Sequence, residues 1–377
     1  MNNFCKAPWS NLFVDTDGKV RFCCPGGYIG DLNNQTLEEI LYSDKVKQIK
    51  TEIINNEPTD YCKNCRRNEQ TCGESLRKSF DHINVSSEIL ASNSAFELKS
   101  LDIRWNSLCN LACVYCNEKF STVWQKYLNI PQHQTSAPYY EEILDFVKNN
   151  KDNIEQVFML GGEPLLNKEN IDLCSIIPDN CQVRIFTNLK SNLHTNKVFK
   201  KLKNRPFVQW VLSFENINER FEYVRLGASW EQHKNNVKLV NSIEGHGIAT
   251  MSVYCIYTAL CLTELFEFAN DNALNLSFMN INQPSFMNIL NFSEQIKQAA
   301  VEQIDLVLST DYPNIQHRQL SNGFLKTIRD TIVNSPANNC NKEFLEWCDK
   351  FDNEYAKGKK SFADLWPETY TLIKNSI

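Results

Sequence analysis

The sequence predicts an α/β protein in which a parallel sheet curls into a partial (β/α)6 barrel, with a small cysteine-rich α+β domain before it and a helical extension after it. Three observations predict this. Strand-like and helix-like runs alternate from Phe96 to about Pro284; six of the fifteen cysteines fall within residues 1–84; and residues 285–377 read as mostly helical. The domain boundaries that follow are 1–84, 97–284 and 285–377.

In the alternating part, strand candidates are 97–105, 155–160, 182–188, 208–215, 249–257 and 274–282. Amphipathic helices fit between them at 138–149, 167–177, 195–204, 229–243 and 262–271. Strands that alternate with helices of this length imply βαβ units and hence parallel pairing. On the first strand, Asp102 and Arg104 alternate with Leu101, Ile103 and Trp105. Period two puts the two polar residues on one face, either towards a barrel lumen that takes substrate or, the first expectation, as a buried ion pair with no catalytic role.

Within residues 1–84, Leu12–Thr16 and Lys19–Cys23 flank Asp17-Gly18, a hairpin signal. Thr36 and Glu39 form a capping box ahead of Leu37, Ile40 and Leu41. From Asp44 to Asn55, Val46, Ile49 and Ile53 share one helical face. The polar segment 86–94 reads as a linker.

Composition limits the function. A formal net charge of −6 with no basic block gives no footprint for nucleic acid. The opening Met-Asn-Asn-Phe-Cys-Lys lacks the basic-then-apolar form of a signal peptide, and no apolar run is long enough to span a membrane. The expectation is a cytoplasmic protein with reduced thiols, in which clustered cysteines mean metal. Cys174, Cys181, Cys255 and Cys261 lie on or beside predicted elements and read as packing residues, and no histidine has metal-ligand spacing.

Two cysteine groups carry chemistry. Directly after the first strand comes Cys109-Asn-Leu-Ala-Cys113-Val-Tyr-Cys116. Three thiolates in one loop can hold three irons of a cubane and leave the fourth open, whereas structural zinc needs a fourth ligand nearby. Cys5, Cys23, Cys62 and Cys65 form the other group. By spacing, two separated cysteines and a Cys-x2-Cys pair suit either a four-cysteine zinc site or a cluster.

Cys-x3-Cys-x2-Cys with Tyr115 before the last cysteine resembles the signature of the radical S-adenosylmethionine superfamily. Gly161-Gly162-Glu163-Pro164, at the end of the second strand, resembles the turn that meets the cofactor's amino group there. Paired glycines let backbone approach a ligand, and a carboxylate accepts from an ammonium. Thr187-Asn188 ends the third strand as in many members. On the fourth strand Ser213 and Glu215 share a face, where the family usually has Ser-x-Asp at the cofactor ribose; Glu215 stands at the Asp position. Arg225 resembles an arginine that pairs with the cofactor carboxylate. The resemblance thus implies a [4Fe–4S] cluster on Cys109, Cys113 and Cys116, with S-adenosylmethionine against Tyr115, Gly161, Gly162, Glu163, Pro164, Asn188, Ser213, Glu215 and Arg225.

Cys5, Gly18, Cys23, Cys62 and Cys65 resemble the twitch domain, the short relative of the SPASM domain, placed here before the barrel rather than after it. This implies an auxiliary [4Fe–4S] cluster with four cysteine ligands. The Cys-x3-Cys continuation of a complete SPASM domain is absent, since position 76 is Leu. The implied activity is reductive cleavage of S-adenosylmethionine to a 5′-deoxyadenosyl radical, which abstracts a substrate hydrogen. Oxidative modification or crosslinking of a peptide or protein is the first expectation, and oxidation of a sugar-like small molecule the second. The reductant would be an external one-electron carrier such as flavodoxin or ferredoxin. A non-catalytic zinc or electron-transfer module is the remaining alternative, against which the Gly161–Pro164 turn argues.

Overall fold

A computed structural model describes residues 4–72, 75–131, 138–336 and 338–377. The chain divides into two compact units. The first comprises Met1–Cys109, Gln132–Phe186 and Ser191–Gln209; the second comprises Asn110–Pro131, Thr187–Lys190 and Trp210–Ile377.

In the first unit the Asp17-Gly18 hairpin forms as its sequence predicts. Asn11–Val14 runs antiparallel to Lys19–Arg21, which pairs in turn with Gly30–Asp31. Gly18 turns the chain at φ +80°, and a Cβ there would stand 2.7 Å from Asn33 Nδ2 and 2.8 Å from the Tyr139 ring. Only glycine fits both the conformation and the space. Asn11–Val14 also lies parallel to Ser100–Ile103, with Phe13 opposite Asp102. Parallel pairing continues from Ser100–Ile103 to Gln156–Met159 and on to Gln182–Thr187.

The strand periodicity sorts this sheet into two unlike faces. Leu12, Val14, Leu101, Ile103, Val157, Met159, Val183 and Ile185 are fully buried on one. Arg21, Asp102, Phe158 and Arg184 are half-buried on the other. Tyr140–Asn149, Glu169–Ile176 and Lys197–Lys203 form helices where the periodicity predicts them. The Thr36–Glu39 capping box is made, opening Leu37–Leu41. The next helix, Asp44–Ile54, buries Val46, Ile49 and Ile53 as expected. It also buries Lys50, whose ammonium donates to the Ala95 carbonyl at 2.6 Å.

Strand Val208–Leu212 runs into the second unit, where it neighbours Gly247–Thr250. Ser252–Tyr254 pairs in parallel with Phe278–Asn280. Every strand position read from the sequence therefore carries a strand, though shorter than expected. Trp230–Asn241 and Leu262–Asp271 are the expected helices. The C-terminal third is helical, led by Glu294–Ser309, Arg318–Asn334 and Asn341–Lys350. Its aromatic side chains are mutually packed, with Tyr257 meeting Phe344 at 5.4 Å and Trp366 at 5.5 Å between centroids. Among the described residues no helix is long and apolar enough to cross a membrane.

Candidate metal centres and cofactor site

In the first unit, Cys5, Cys23, Cys62 and Cys65 line one small cavity, closed by Pro8, Gly26, Tyr61, Arg77 and Phe80. The hairpin delivers Cys23. The short helix Asp60–Cys62, capped by Thr59, delivers Cys62, and the following helix delivers Cys65. Burial, followed by repulsion from Cys65, raises the Cys62 thiol to about 11. Burial and then Cys65 push Cys23 up to about 12, against the Gly26 N–H and the Tyr61 hydroxyl. Cys5 is raised by burial and by the same three thiols. Cys5, Cys23 and Cys62, raised in this way, do not ionise together unless a cationic centre stands among them. Among the described residues no three His, Cys, Asp or Glu side chains are arranged to hold a single metal ion.

The sequence did not mark Tyr61 or Arg77. Tyr61 Oη accepts from the Phe22 N–H at 2.7 Å and lies 4.0 Å from Cys23 Sγ. Gly26 is needed beside it, because a Cβ would come within 2.3 Å of the ring. Arg77 is held by Glu69 at 2.6 Å and by the Phe4 carbonyl at 2.9 Å. The only sequence signal for Tyr61 is its adjacency to Cys62, and Arg77 has none.

The Gly161–Pro164 turn is also in the first unit. It packs against the segment that enters the three-cysteine loop: Gly162 N–H donates to Asn106 O at 3.3 Å, and Glu163 N–H donates to Leu108 O at 2.7 Å. A Cβ on Gly162 would stand 2.3 Å from Leu108 O, and Gly161 has φ +113°. The paired glycines are therefore required by backbone packing at Leu108, immediately before Cys109. Glu163 is fully buried, with Oε1 accepting from the Leu165 N–H at 3.1 Å at the start of Pro164–Leu166. Asn170 donates to Pro164 O at 2.9 Å and accepts from Trp105 Nε1 at 2.8 Å.

In the second unit, Ala112–Cys113 and Arg225–Leu226 form a two-stranded antiparallel ribbon with Cys113 directly opposite Arg225. The guanidinium grips Glu215 by a fork, Nε to Oε2 at 2.9 Å and Nη2 to Oε1 at 2.6 Å, while Nη1 lies 3.9 Å from Cys113 Sγ. Glu215 and Arg225, expected separately at a ribose and a carboxylate, thus bind each other, buried at 1% and 5% exposure. The Tyr115 ring lies 5.9 Å from the guanidinium carbon. Cys116 N–H donates to Cys113 O at 3.0 Å, so these two thiols sit on one turn. Trp124 Nε1 donates to the same carbonyl at 3.0 Å. Asn188 donates to Asn110 Oδ1 at 3.0 Å, and Lys190 donates to Asn110 O at 2.9 Å. Ser213 is half-buried, its N–H donating to Thr187 O at 3.0 Å.

A three-cysteine loop after a strand of a parallel sheet, and a cavity lined by four thiols, are features that iron–sulfur clusters use. Two family models match the chain: the Radical SAM superfamily over residues 104–268 and the SPASM iron–sulfur cluster-binding domain over residues 5–66. The chain thus carries a radical S-adenosylmethionine domain and, ahead of it, a SPASM-type iron–sulfur domain. Its cofactors are [4Fe–4S] clusters and S-adenosylmethionine.

No match was found among curated proteins. Among solved structures, the chain is similar to native anSMEcpe with bound AdoMet, at 16% identity and TM-score 0.42, covering 55% of this chain and 59% of that one. It is similar to Streptococcus suis SuiB bound to the precursor peptide SuiA, at 16% identity and TM-score 0.41, covering 79% and 70%. A third is TYW1 with a lysine-pyruvate adduct, at 12% identity and TM-score 0.39, covering 64% and 80%. The chain thus spans about three-fifths of the length of anSMEcpe.

Proposed function

We propose that this enzyme carries out a net oxidation, modifying or crosslinking a peptide or protein substrate. The carrying observation is the four-thiol cavity of Cys5, Cys23, Cys62 and Cys65. A cluster given four protein ligands has no iron left for substrate, which suits it to take an electron rather than to bind. Cys109, Cys113 and Cys116 would hold the other cluster, with one iron open to S-adenosylmethionine. When bound, that pair supplies a carbon radical able to take a hydrogen atom from the substrate. An external one-electron reductant such as flavodoxin or ferredoxin would feed it.

The chain's own residues give each site its setting. The Glu215–Arg225 fork holds a cation beside Cys113. The Gly161–Pro164 turn fixes Leu108, where the loop begins. Glu163 is proposed to meet the cofactor's amino group and Asn188 and Ser213 to lie along its nucleoside side. Half-buried Tyr115 and buried Trp124 place aromatic rings beside the loop.

The test has two arms. Anaerobically reconstituted, reduced protein should form 5′-deoxyadenosine from S-adenosylmethionine without substrate. With a deuterated candidate peptide, deuterium should pass into 5′-deoxyadenosine, and folded Cys62 or Cys65 variants should keep that transfer while losing the oxidised product. Normal product from a folded variant lacking the auxiliary cluster would refute the electron-acceptor role. Deuterium transfer from a sugar-like compound but from no peptide would replace the substrate class.

A further inference from the structure

The pairing registers set five residues of the first unit in one row across five strands. Arg21 stands opposite Phe13, Phe13 opposite Asp102, Asp102 opposite Phe158, and Phe158 opposite Arg184. At the usual strand spacing this row is about 19 Å across. It lies on the half-buried face of the sheet, while the neighbouring rows on the opposite face are fully buried and apolar.

Each arginine of this face lies against an aromatic ring. Arg21 is 4.0 Å from the Tyr28 centroid, Arg104 is 4.1 Å from Phe13, and Arg184 is 5.3 Å from Phe158. A guanidinium stacked in this way keeps its in-plane N–H edges for oxygen acceptors. Two of the three have carboxylates: Arg21 pairs with Asp15 at 3.2 Å, and Arg104 pairs with Asp102. Among the described residues Arg184 has no carboxylate partner: Nη2 donates to the neutral amide of Gln182 at 3.2 Å, and its buried Nε, like that of Arg21, has no hydrogen-bond partner. Leaving a stacked, partly desolvated fork short of acceptors is costly unless something else supplies them.

We propose that Arg184 binds an anionic group of the substrate, a carboxylate or a phosphate, against the Phe158 ring on this face of the sheet. The inference rests on the proposed reading of the chain as a substrate-oxidising enzyme, since it makes this face a substrate surface. An anion there meets the Nη edge of the Arg184 guanidinium, the edge that is not buried, and Asp102, already engaged with Arg104, sits one strand beyond Phe158. The row gives a substrate room to extend from Arg184 towards Arg21, so Arg184 would fix its register on the sheet.

Binding of sodium acetate and of inorganic phosphate to the reconstituted full chain tests this, by calorimetric titration at low ionic strength. At least one anion should bind the wild type and bind Arg184→Gln about tenfold more weakly or worse, with exposed Lys200→Met unchanged. Stronger acetate binding assigns a carboxylate, and stronger phosphate binding a phosphate ester. Arg184→Lys, checked for iron content and circular dichroism, serves if the Gln variant does not fold, and it should weaken acetate more than phosphate because it loses the fork. Equal affinities in wild type and a folded Arg184 variant, or no anion binding at all, overturn the proposal. Production of 5′-deoxyadenosine is read separately on the same samples. Its absence sinks the radical-enzyme reading whatever the anions do, and its presence without Arg184-dependent binding sinks only the anion site.

Discussion

The two cysteine sites are built in opposite ways. Cys109, Cys113 and Cys116 lie within a few residues, and hydrogen bonds at Leu108, Asn110 and Cys113 tie down the backbone around them. Cys5, Cys23, Cys62 and Cys65 come from a chain terminus, a hairpin and a helical pair, and they meet only at the cavity. A metal centre there closes long loops and is coupled to folding, while one in the local loop is an addition to a scaffold already made.

Removing each centre should separate these cases most sharply. The reconstituted chain should hold about eight irons, four per cluster. Both the Cys109/Cys113/Cys116→Ala triple variant and Cys65→Ala should lose about four. The Cys65 variant should also lower the unfolding midpoint by roughly 10 °C, against at most ~3 °C for the triple variant. Calorimetry beside iron assay decides it, and equal midpoints would erase the distinction between fastening and added sites.

The scaffold of the local site has its own weak point in the Glu215–Arg225 pair. Glu215→Gln should cost about 3–5 kcal/mol, because it leaves a buried guanidinium without its counter-ion. Glu215→Leu with Arg225→Met should cost much less than the two single changes added, since neither charge is stranded. A urea-unfolding double-mutant cycle measures this coupling, and additive effects would show that the fork contributes nothing as a pair.

Acid should reveal a second difference. His233, 1% exposed among Phe214, Phe221 and Trp230, is held down to about 3 by burial and then by the Arg225 charge. The folded state therefore refuses a proton that the unfolded chain takes below about 6.5. His233 contributes stability above that pH and loses it as pH falls towards 3, at about 1.4 kcal/mol per unit, or roughly 2 kcal/mol by pH 5. His233→Phe should flatten that limb of the stability–pH curve. A wild-type curve equally steep in the variant would assign acid lability to other groups.

How much of this was legible in the sequence depends on the range of each interaction. Local signals were clear: Asp17-Gly18 turned a hairpin, Thr36 and Glu39 capped a helix, and period two put Asp102 and Arg104 on one face, where they pair. The cysteine groups were legible because thiols at such spacing have few other uses. Partner choice was not. Nothing in Asn11–Val14 says that it will lie parallel to Ser100–Ile103, since two short apolar strands fit many neighbours. The placing of Arg225 opposite Cys113 depends on a two-residue ribbon too short to have a periodicity. Arg184 joins Phe158 and Asp102 only through two registers, each fixed by long-range packing.

The smallest effect expected is at Tyr61, and it probes the auxiliary site without removing a ligand. Its oxygen already accepts from Phe22 N–H at 2.7 Å, so its own proton is available to Cys23 Sγ, 4.0 Å away. A ligating thiolate can only accept, which makes the phenol a donor to that sulfur once the cluster is bound. Hydrogen bonds to cluster sulfurs stabilise the more negative, reduced state and raise the potential. Tyr61→Phe should therefore move the auxiliary midpoint to more negative values and cost about 1 kcal/mol of stability through the stranded Phe22 N–H. It should leave the midpoint of the three-cysteine cluster where it was. Trp124→Phe, which removes a donor to the Cys113 carbonyl rather than to a sulfur, should change neither potential greatly. Potentiometric titration followed by electron paramagnetic resonance resolves the two clusters. An unmoved auxiliary midpoint in a fully loaded Tyr61→Phe protein would reduce that hydroxyl to a backbone acceptor for Phe22, with no influence on the metal beside it.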